Sequence, residues 1–228
     1  MNSFKSSMIG LVVAVGLALT GCATTTSAQE VAPSADGIRY VSVEQIEASL
    51  PPQPIIVGFD VDDTVLFSSP GFYYGSSNAD GPGGTNKYGA DWSKNKQFWA
   101  DMNGQFERFS IPKKAARKVI EMHKRRGDKI YFITARYYTE GEQTTAHLKR
   151  VFDLPSMEPV IFTDEKSKAP FIKERGLIIY YGDSDSDIKD AKEAGVRGIR
   201  IVRASNSTNT GPASPGKHDE EVIKNSEF

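Results

Sequence analysis

The chain has 228 residues, which suits one compact domain with flanking segments. Charged residues make up 25% and hydrophobic ones 39%, the ordinary balance of a soluble globular protein. The formal net charge of -1 leaves no basic excess to neutralise a phosphate backbone, so composition argues against a nucleic-acid partner.

The N-terminus reads as an export signal. Lys5 supplies a positive start, and Met8 to Leu19 is an apolar run too short to span a bilayer but the right size for a signal core. Leu19-Thr20-Gly21-Cys22 then resembles the bacterial lipobox, in which lipid joins the cysteine and the chain is cut before it. Residues 1–21 are therefore expected to be a lipoprotein signal peptide, with Cys22 as the membrane anchor; a plain signal cut after Ala28 is the alternative. Cys22 is the only cysteine, so no internal disulfide can form. Ala23, where aspartate tends to retain lipoproteins in the inner membrane, favours the outer membrane facing the periplasm. Residues 22–39, rich in Thr, Ser, Ala and Pro, read as a flexible tether.

The folded domain is expected over 40–228. Ser42 to Leu50 forms a short helix with Ser42 as N-cap and Gln45 completing a capping box, and Pro51, Pro52 and Pro54 stop it. Pro54 to Asp60 is a buried strand. Residues 66–110 are Gly-rich and aromatic, and so long a stretch between core elements reads as a small cap insert, with a helix within Ser93 to Gly104. Pro112 to Arg126 reads as a helix with Pro in its first turn and Gly127 as C-cap. Strands follow at 129–134, 159–162, 177–181 and 198–202, alternating with helices at 139–152, 167–175 and 184–194. Five strands alternating with helices imply an α/β fold with a parallel five-stranded sheet and helices on both faces. Ligands on such sheets bind at the carboxyl ends of strands.

Three clusters fall just past strand ends: Asp60-Val61-Asp62-Asp63-Thr64, Thr134-Ala135-Arg136, and Gly182-Asp183-Ser184-Asp185-Ser186-Asp187. Asp60 and Asp62 at spacing i, i+2 share one side of an extended segment, where their repulsion calls for a cation or a proton. A hard divalent ion such as Mg2+ answers that need, with Asp183 completing the cage. This is the equipment of a phosphoryl-transfer site, with Asp60 as nucleophile and Asp62 as acid/base. Asp62 protonated beside an ionised Asp60 predicts a preference for mildly acidic pH.

Asp60-Val61-Asp62-Asp63-Thr64 resembles motif I of the haloacid-dehalogenase (HAD) superfamily. The longer run from Phe59 to Pro70 resembles the signature of bacterial class B non-specific acid phosphatases, with Val61 where isoleucine is usual. Tyr181 to Ile188 matches that family's second signature. Shorter likenesses occur in Ser110-Ile-Pro-Lys113, Met122-His123, Arg125 to Asp128 and Arg203 to Thr208, so the resemblance covers nearly all of 40–228. It implies a HAD-like Rossmannoid domain cleaving phosphomonoesters, nucleotides included, through an aspartyl-phosphate, with phosphotransfer when an alcohol replaces water. It implies magnesium on the Asp60 carboxylate, the Asp62 backbone carbonyl and the Asp183 carboxylate. Thr134 and the backbone of Ala135 would hold phosphate oxygens. Lys168, with Lys166 as its rival, would neutralise the phosphoryl group, and Asp187 would orient Lys168 and the metal's waters. Phe72 and Trp99 match positions beside the substrate pocket. Family members assemble as tetramers, and Glu220 to Phe228 is similar to the assembling tail. The alternatives are a class C-type lipoprotein acid phosphatase or 5'-nucleotidase, and a non-catalytic surface lipoprotein.

Other charged groups read as structural. Asp63 and Thr64 brace the turn after the first strand, and Asp185 is a solvated helix-start residue. His123 and His147 are surface or packing residues. Lys113, Lys114 and Lys124-Arg125-Arg126 form a solvated helix face. No GxGxxG or GxxxxGK[ST] loop is present, which removes dinucleotide and NTPase readings.

Overall fold

A computed structural model describes residues 32–228. The expected signal segment 1–21, Cys22 and the tether up to residue 31 lie outside the described residues. The strands in chain order are β1 (Arg39–Val41), β2 (Ile56–Phe59), β3 (Leu66–Phe67), β4 (Ile111–Pro112), β5 (Lys129–Thr134), β6 (Ile161–Phe162), β7 (Ile179–Gly182), β8 (Arg197–Ile201) and β9 (Glu221–Ile223). The α-helices are α1 (Val43–Ser49), α2 (Ser69–Ser77), α3 (Lys96–Asn103), α4 (Lys114–Arg126), α5 (Thr144–Phe152), α6 (Ala169–Glu174) and α7 (Asp185–Glu193).

Seven strands form a parallel sheet in the order β1-β9-β8-β7-β2-β5-β6, and β3 and β4 form a separate antiparallel pair. The expected five-stranded sheet is thus extended at one edge by β1 and β9. Both are three residues long, too short to carry a readable alternation. The bidentate pair of Arg197 with Glu221, at 2.6 and 2.8 Å, fastens β9 beside β8.

Helices cover both faces. Ile46 of α1, Val119 and Ile120 of α4, and Leu148 and Phe152 of α5 close over Val57 and Phe59 of β2. Ile172 of α6 and Ala191 of α7 close over Tyr131, Ile133 and Tyr180 on the other face. Each such side chain taken fully from water contributes roughly 1.5–3 kcal/mol. β2 lies between β5 and β7, so its two faces meet both layers. Gly58 answers this crowding, since a Cβ there would sit 2.4 Å from Leu177 Cδ1.

Ser42 caps α1 through the expected capping box. α4 begins at Lys114 rather than Pro112, because Pro112 pairs with Leu66 in the β3–β4 ladder. Lys113 is correspondingly not on a solvated face. It is buried, and its Nζ donates to the Asp63 carbonyl at 2.6 Å and to that of Val202 at 2.8 Å. α5 starts at Thr144, later than Thr139, after a bend in which Gly141 takes φ 75°.

His123 is not at the surface. It is fully buried, Nδ1 2.7 Å from Asp128 Oδ2 and Nε2 2.9 Å from the Tyr181 hydroxyl. Asp185 is not solvated either. Its buried carboxylate accepts from Arg200, Lys217 and the Ser214 amide, which ties the 203–217 segment to the start of α7.

The insert has a core of its own. Tyr88, Phe98, Trp99, Met102 and Phe106 pack together, with Phe72, Trp92 and Tyr137 against them. Its expected helix is split into a 3-10 turn at Trp92–Lys94 and α3, with Asn95 capping the latter.

Candidate active site

The carboxyl ends of β2, β5 and β7 converge on a cavity of about 840 Å³. That is large enough for a small-molecule phosphoester. β2 delivers Asp60, whose amide donates to the Tyr181 carbonyl at 2.8 Å and so locks it to the end of β7. The chain then turns back. Asp63 takes φ 59°, and Val65 and Leu66 both donate to the Val61 carbonyl. Thr64 is thereby brought under the carboxylates, its hydroxyl 2.7 Å from Asp60 Oδ2 and 3.1 Å from Asp183 Oδ1. The bracing role expected of Thr64 thus acts on two site carboxylates.

β7 ends in Gly182, and α7 starts immediately after. A Cβ on Gly182 would lie 2.2 Å from Asp187 Cβ, so only glycine lets α7 come close enough to aim Asp187 inward. Ser184 and Asp187 complete a reciprocal N-terminal cap. Ligand atoms of Asp60, Asp183 and Asp187 lie within 4.8 Å of one another. This buried, all-oxygen donor set suits a hard divalent cation.

Lys168 settles against Asp60 and Asp187, Nζ at 2.5 and 2.7 Å. Its amide donates to Asp190 of α7 at 2.7 Å, which fixes its backbone. Lys166 is exposed at the cavity rim and makes no such contact. Of the two lysines weighed from sequence, the structure places Lys168 beside Asp60. Arg203 donates to Asp183 Oδ2 at 2.5 Å.

Asp62 lines the same cavity, its side chain 20% exposed against 7% for Asp60. Arg136 grips it through Nε and a terminal nitrogen at 2.9 and 2.7 Å. The Thr134 hydroxyl lies 3.3 Å from Asp62 Oδ2, and exposed Ala135 lines the cavity beside it. Phe72 and Trp99 line the same cavity in an edge-to-face pair with centroids 6.0 Å apart. The Trp99 indole donates to the Ser93 carbonyl, so its ring is fixed.

Burial, reinforced by the neighbouring Asp187, pushes the Asp60 carboxyl well above its ordinary range. Burial and Asp187 likewise push Asp183 up to about 6. Burial also opposes the charged form of Asp62, but the Arg136 guanidinium overrides it and holds that carboxyl low. Burial opposes the Lys168 ammonium, and Asp187 and Asp60 more than reverse the effect. In the protein alone the two carboxyls are thus shifted in opposite directions, Asp60 up and Asp62 down, whereas the expected reacting step has Asp62 protonated beside an ionised Asp60. A cation held by these carboxylates would lower Asp60, and a phosphate dianion beside Asp62 would raise it.

Sequence reasoning assigned no role to Arg136, Glu107 or Arg203. Arg136 stands in the quoted Thr-Ala-Arg run, and Arg203 opens the quoted 203–208 run, so a signal existed for both. Glu107 carried none, being one of four scattered acids in an aromatic insert, with Asp80, Asp91 and Asp101.

A parallel sheet with an acidic loop after its central strand, and a lysine and further acids from neighbouring strand ends, defines the HAD class of phosphohydrolases. The model of the family described as HAD superfamily, subfamily IIIB (acid phosphatase), matches residues 26–212. The class B acid phosphatase of Salmonella arizonae is 46% identical over 202 residues, covering 84% of this chain and 81% of its own. That of Morganella morganii is 45% identical over 197 residues with the same coverage, and that of Enterobacter sp. is 44% identical over 229, covering 97% and 94%. The chain belongs to the class B acid phosphatases of the HAD superfamily, and its activity is hydrolysis of phosphomonoesters.

Proposed function

We propose that this phosphatase works by a double displacement on Asp60, dependent on Mg2+. The observation that carries the reading is the convergence of Asp60, Asp183, Asp187 and Lys168 in one buried cluster, with the more exposed Asp62 held on the same cavity by Arg136. Asp60 Oδ1 or Oδ2 attacks phosphorus, and Asp62 gives a proton to the leaving oxygen. Asp62 then takes a proton from the water that cleaves the aspartyl-phosphate. Lys168 neutralises the phosphoryl group, Thr134 and the amide of Ala135 hold its oxygens, and Thr64 keeps the Asp60 carboxylate turned to the substrate. Asp60, Asp183 and the Asp62 backbone carbonyl would hold the magnesium, with Asp187 orienting Lys168 and the metal's waters. When bound, the ion supplies charge neutralisation between carboxylate and phosphate.

Phe72 and Trp99 offer a flat apolar wall for a nucleobase or aryl group, which supports nucleotides among the substrates. An alcohol in place of the second-step water gives phosphotransfer from the same intermediate. The lipobox-like run supports a lipid anchor at Cys22, the Thr, Ser, Ala and Pro-rich stretch a tether to about residue 39, and the separate aromatic cluster an insert over 66–110 in a domain from 40. It also supports outer-membrane attachment facing the periplasm. The tail's likeness supports a homotetramer. Among the described residues no helix is long and apolar enough to cross a membrane.

The test is phosphate release from p-nitrophenyl phosphate and a nucleoside monophosphate, with magnesium and then with EDTA, for wild type and Asp60→Asn. Metal-dependent turnover lost in the variant supports the reading. Turnover that survives EDTA or the Asn substitution rules it out.

A further inference from the structure

Glu107 sits in the short 3-10 turn Glu107–Phe109 near the end of the insert, and its side chain is 1% exposed. Oε2 accepts from an Arg136 terminal nitrogen at 2.5 Å and from the Thr144 hydroxyl at 2.8 Å. Oε1 is buried without a partner among the described residues. An anion so deeply buried needs a reason beyond stability, because well-packed apolar residues hold two segments together at least as well.

Arg136 supplies the reason. Its guanidinium is a rigid plate with donors on two edges. One edge lies on Asp62 and the other on Glu107, with Asn103 Oδ1 3.3 Å from the nitrogen that meets Glu107. Glu107 and Asn103 belong to the insert, Arg136 to the core. The seam is pinned beside them, where Asn103 donates to the Tyr137 carbonyl at 2.8 Å and accepts from the Gln143 amide at 2.6 Å. The plate is thus held at its far edge by Glu107, Asn103 and Thr144, while its near edge meets Asp62 and, at 3.4 Å, the Ser68 hydroxyl.

We infer that Glu107 is a positioning residue for phosphoryl transfer: through Arg136 it fixes the plane in which Asp62 presents its carboxyl to the leaving oxygen. The inference rests on Asp62 as the proton donor proposed above. In that step the Asp60–phosphorus bond forms, the ester phosphorus–oxygen bond breaks, and the Asp62 proton passes to the departing oxygen. A stable phenolate departs without that proton, whereas an alkoxide depends on it. Misplacing Asp62 therefore costs alkyl esters far more than aryl esters. A brace that merely holds the fold would affect both alike.

The test compares kcat/KM for p-nitrophenyl phosphate and a simple alkyl phosphomonoester in wild type, Asp62→Asn, Glu107→Ala and Glu107→Gln, each magnesium-loaded. Since a positioned general acid contributes about 10²–10⁴-fold, Asp62→Asn is expected to lose at least about 10²-fold on the alkyl ester and far less on the aryl ester. Glu107→Ala is expected to lose roughly tenfold on the alkyl ester and under about twofold on the aryl ester. Glu107→Gln keeps an acceptor for Arg136 and is expected to recover most of that loss. If Glu107→Ala does not fold, Glu107→Asp carries the test, because shortening by one methylene withdraws the carboxylate from Arg136 and predicts the same selective loss. Equal losses on both esters, or a Gln variant no better than Ala, overturn the inference. If Asp62→Asn itself shows no leaving-group dependence, the assignment of Asp62 fails and the inference falls with it, a result distinct from failure at Glu107 alone.

Discussion

Removing the Lys168 ammonium leaves Asp60, Asp183 and Asp187 gathered without the cation that now lies against two of them. Lys168→Met keeps the length of the side chain and deletes its charge. Breaking a buried ion pair on one side costs about 3–5 kcal/mol, and a domain of this size loses about 2–4 °C of Tm per kcal/mol, so the metal-free variant is expected to melt roughly 6–20 °C lower at neutral pH. The deficit depends on proton supply. Asp183 already stands at about 6 against an ordinary 3.8, so its contribution to stability is fully present below 3.8 and is lost as pH rises through about 6. Asp60 is raised in the same direction. Without the ammonium Asp60 rises further, so the Tm deficit is expected to shrink as pH falls toward about 5. Magnesium, binding the same carboxylates, is expected to narrow it at neutral pH. Thermal melts in EDTA at the two pH values, then with magnesium, measure this. A deficit unchanged by pH and by magnesium would mean that Lys168 does not offset the charge of these carboxylates.

Thr64→Val removes the hydroxyl between Asp60 and Asp183 at nearly constant volume; a cost of about 1–3 kcal/mol in stability and a fall in kcat are expected from melts and steady-state kinetics. Gly182→Ala places a Cβ 2.2 Å from Asp187 Cβ, so the start of α7 must move, and overpacking of about 1–3 kcal/mol with weakened magnesium affinity by titration calorimetry is expected. Burial lowers the His123 pKa from 6.5 despite Asp128, so the neutral ring supports the fold above pH 6.5 and that support is lost as pH falls through the lowered value. His123→Phe strands the Tyr181 hydroxyl, costing about 1–3 kcal/mol at neutral pH, and is expected to flatten the acid side of the Tm–pH curve. A variant curve parallel to wild type would contradict the assignment.

The parallel sheet and the three acidic or phosphate-binding loops were legible because each follows a β-branched, apolar run and each loop is contiguous in sequence. What escaped notice was built from distant parts. β9 is three residues in a tail and depends on pairing with β8 and β1, with Arg197 and Glu221 fastening it to β8. Pro112 looks like a helix start until Leu66, 46 positions earlier, claims it for a ladder. Asp185 reads as a solvated helix-start acid, yet Arg200 and the Ser214 amide, 15 and 29 positions away, bury it. Glu107 and Arg136 are 29 positions apart across the seam between insert and core, and neither periodicity nor spacing could join them. The pH order of Asp60 and Asp62 was equally hidden, since it depends on which carboxylate receives Arg136.

In the double displacement proposed above, the phosphoryl group passes through Asp60 while Asp62 manages the protons. Acid-quenching the magnesium-loaded enzyme during turnover of an aryl phosphate, followed by mass analysis of its peptides, tests this most directly. One phosphoryl group is expected on the peptide carrying Asp60, accumulating further in Asp62→Asn and absent in Asp60→Asn. A phosphoryl group on any other residue, or full turnover in Asp60→Asn, would contradict it.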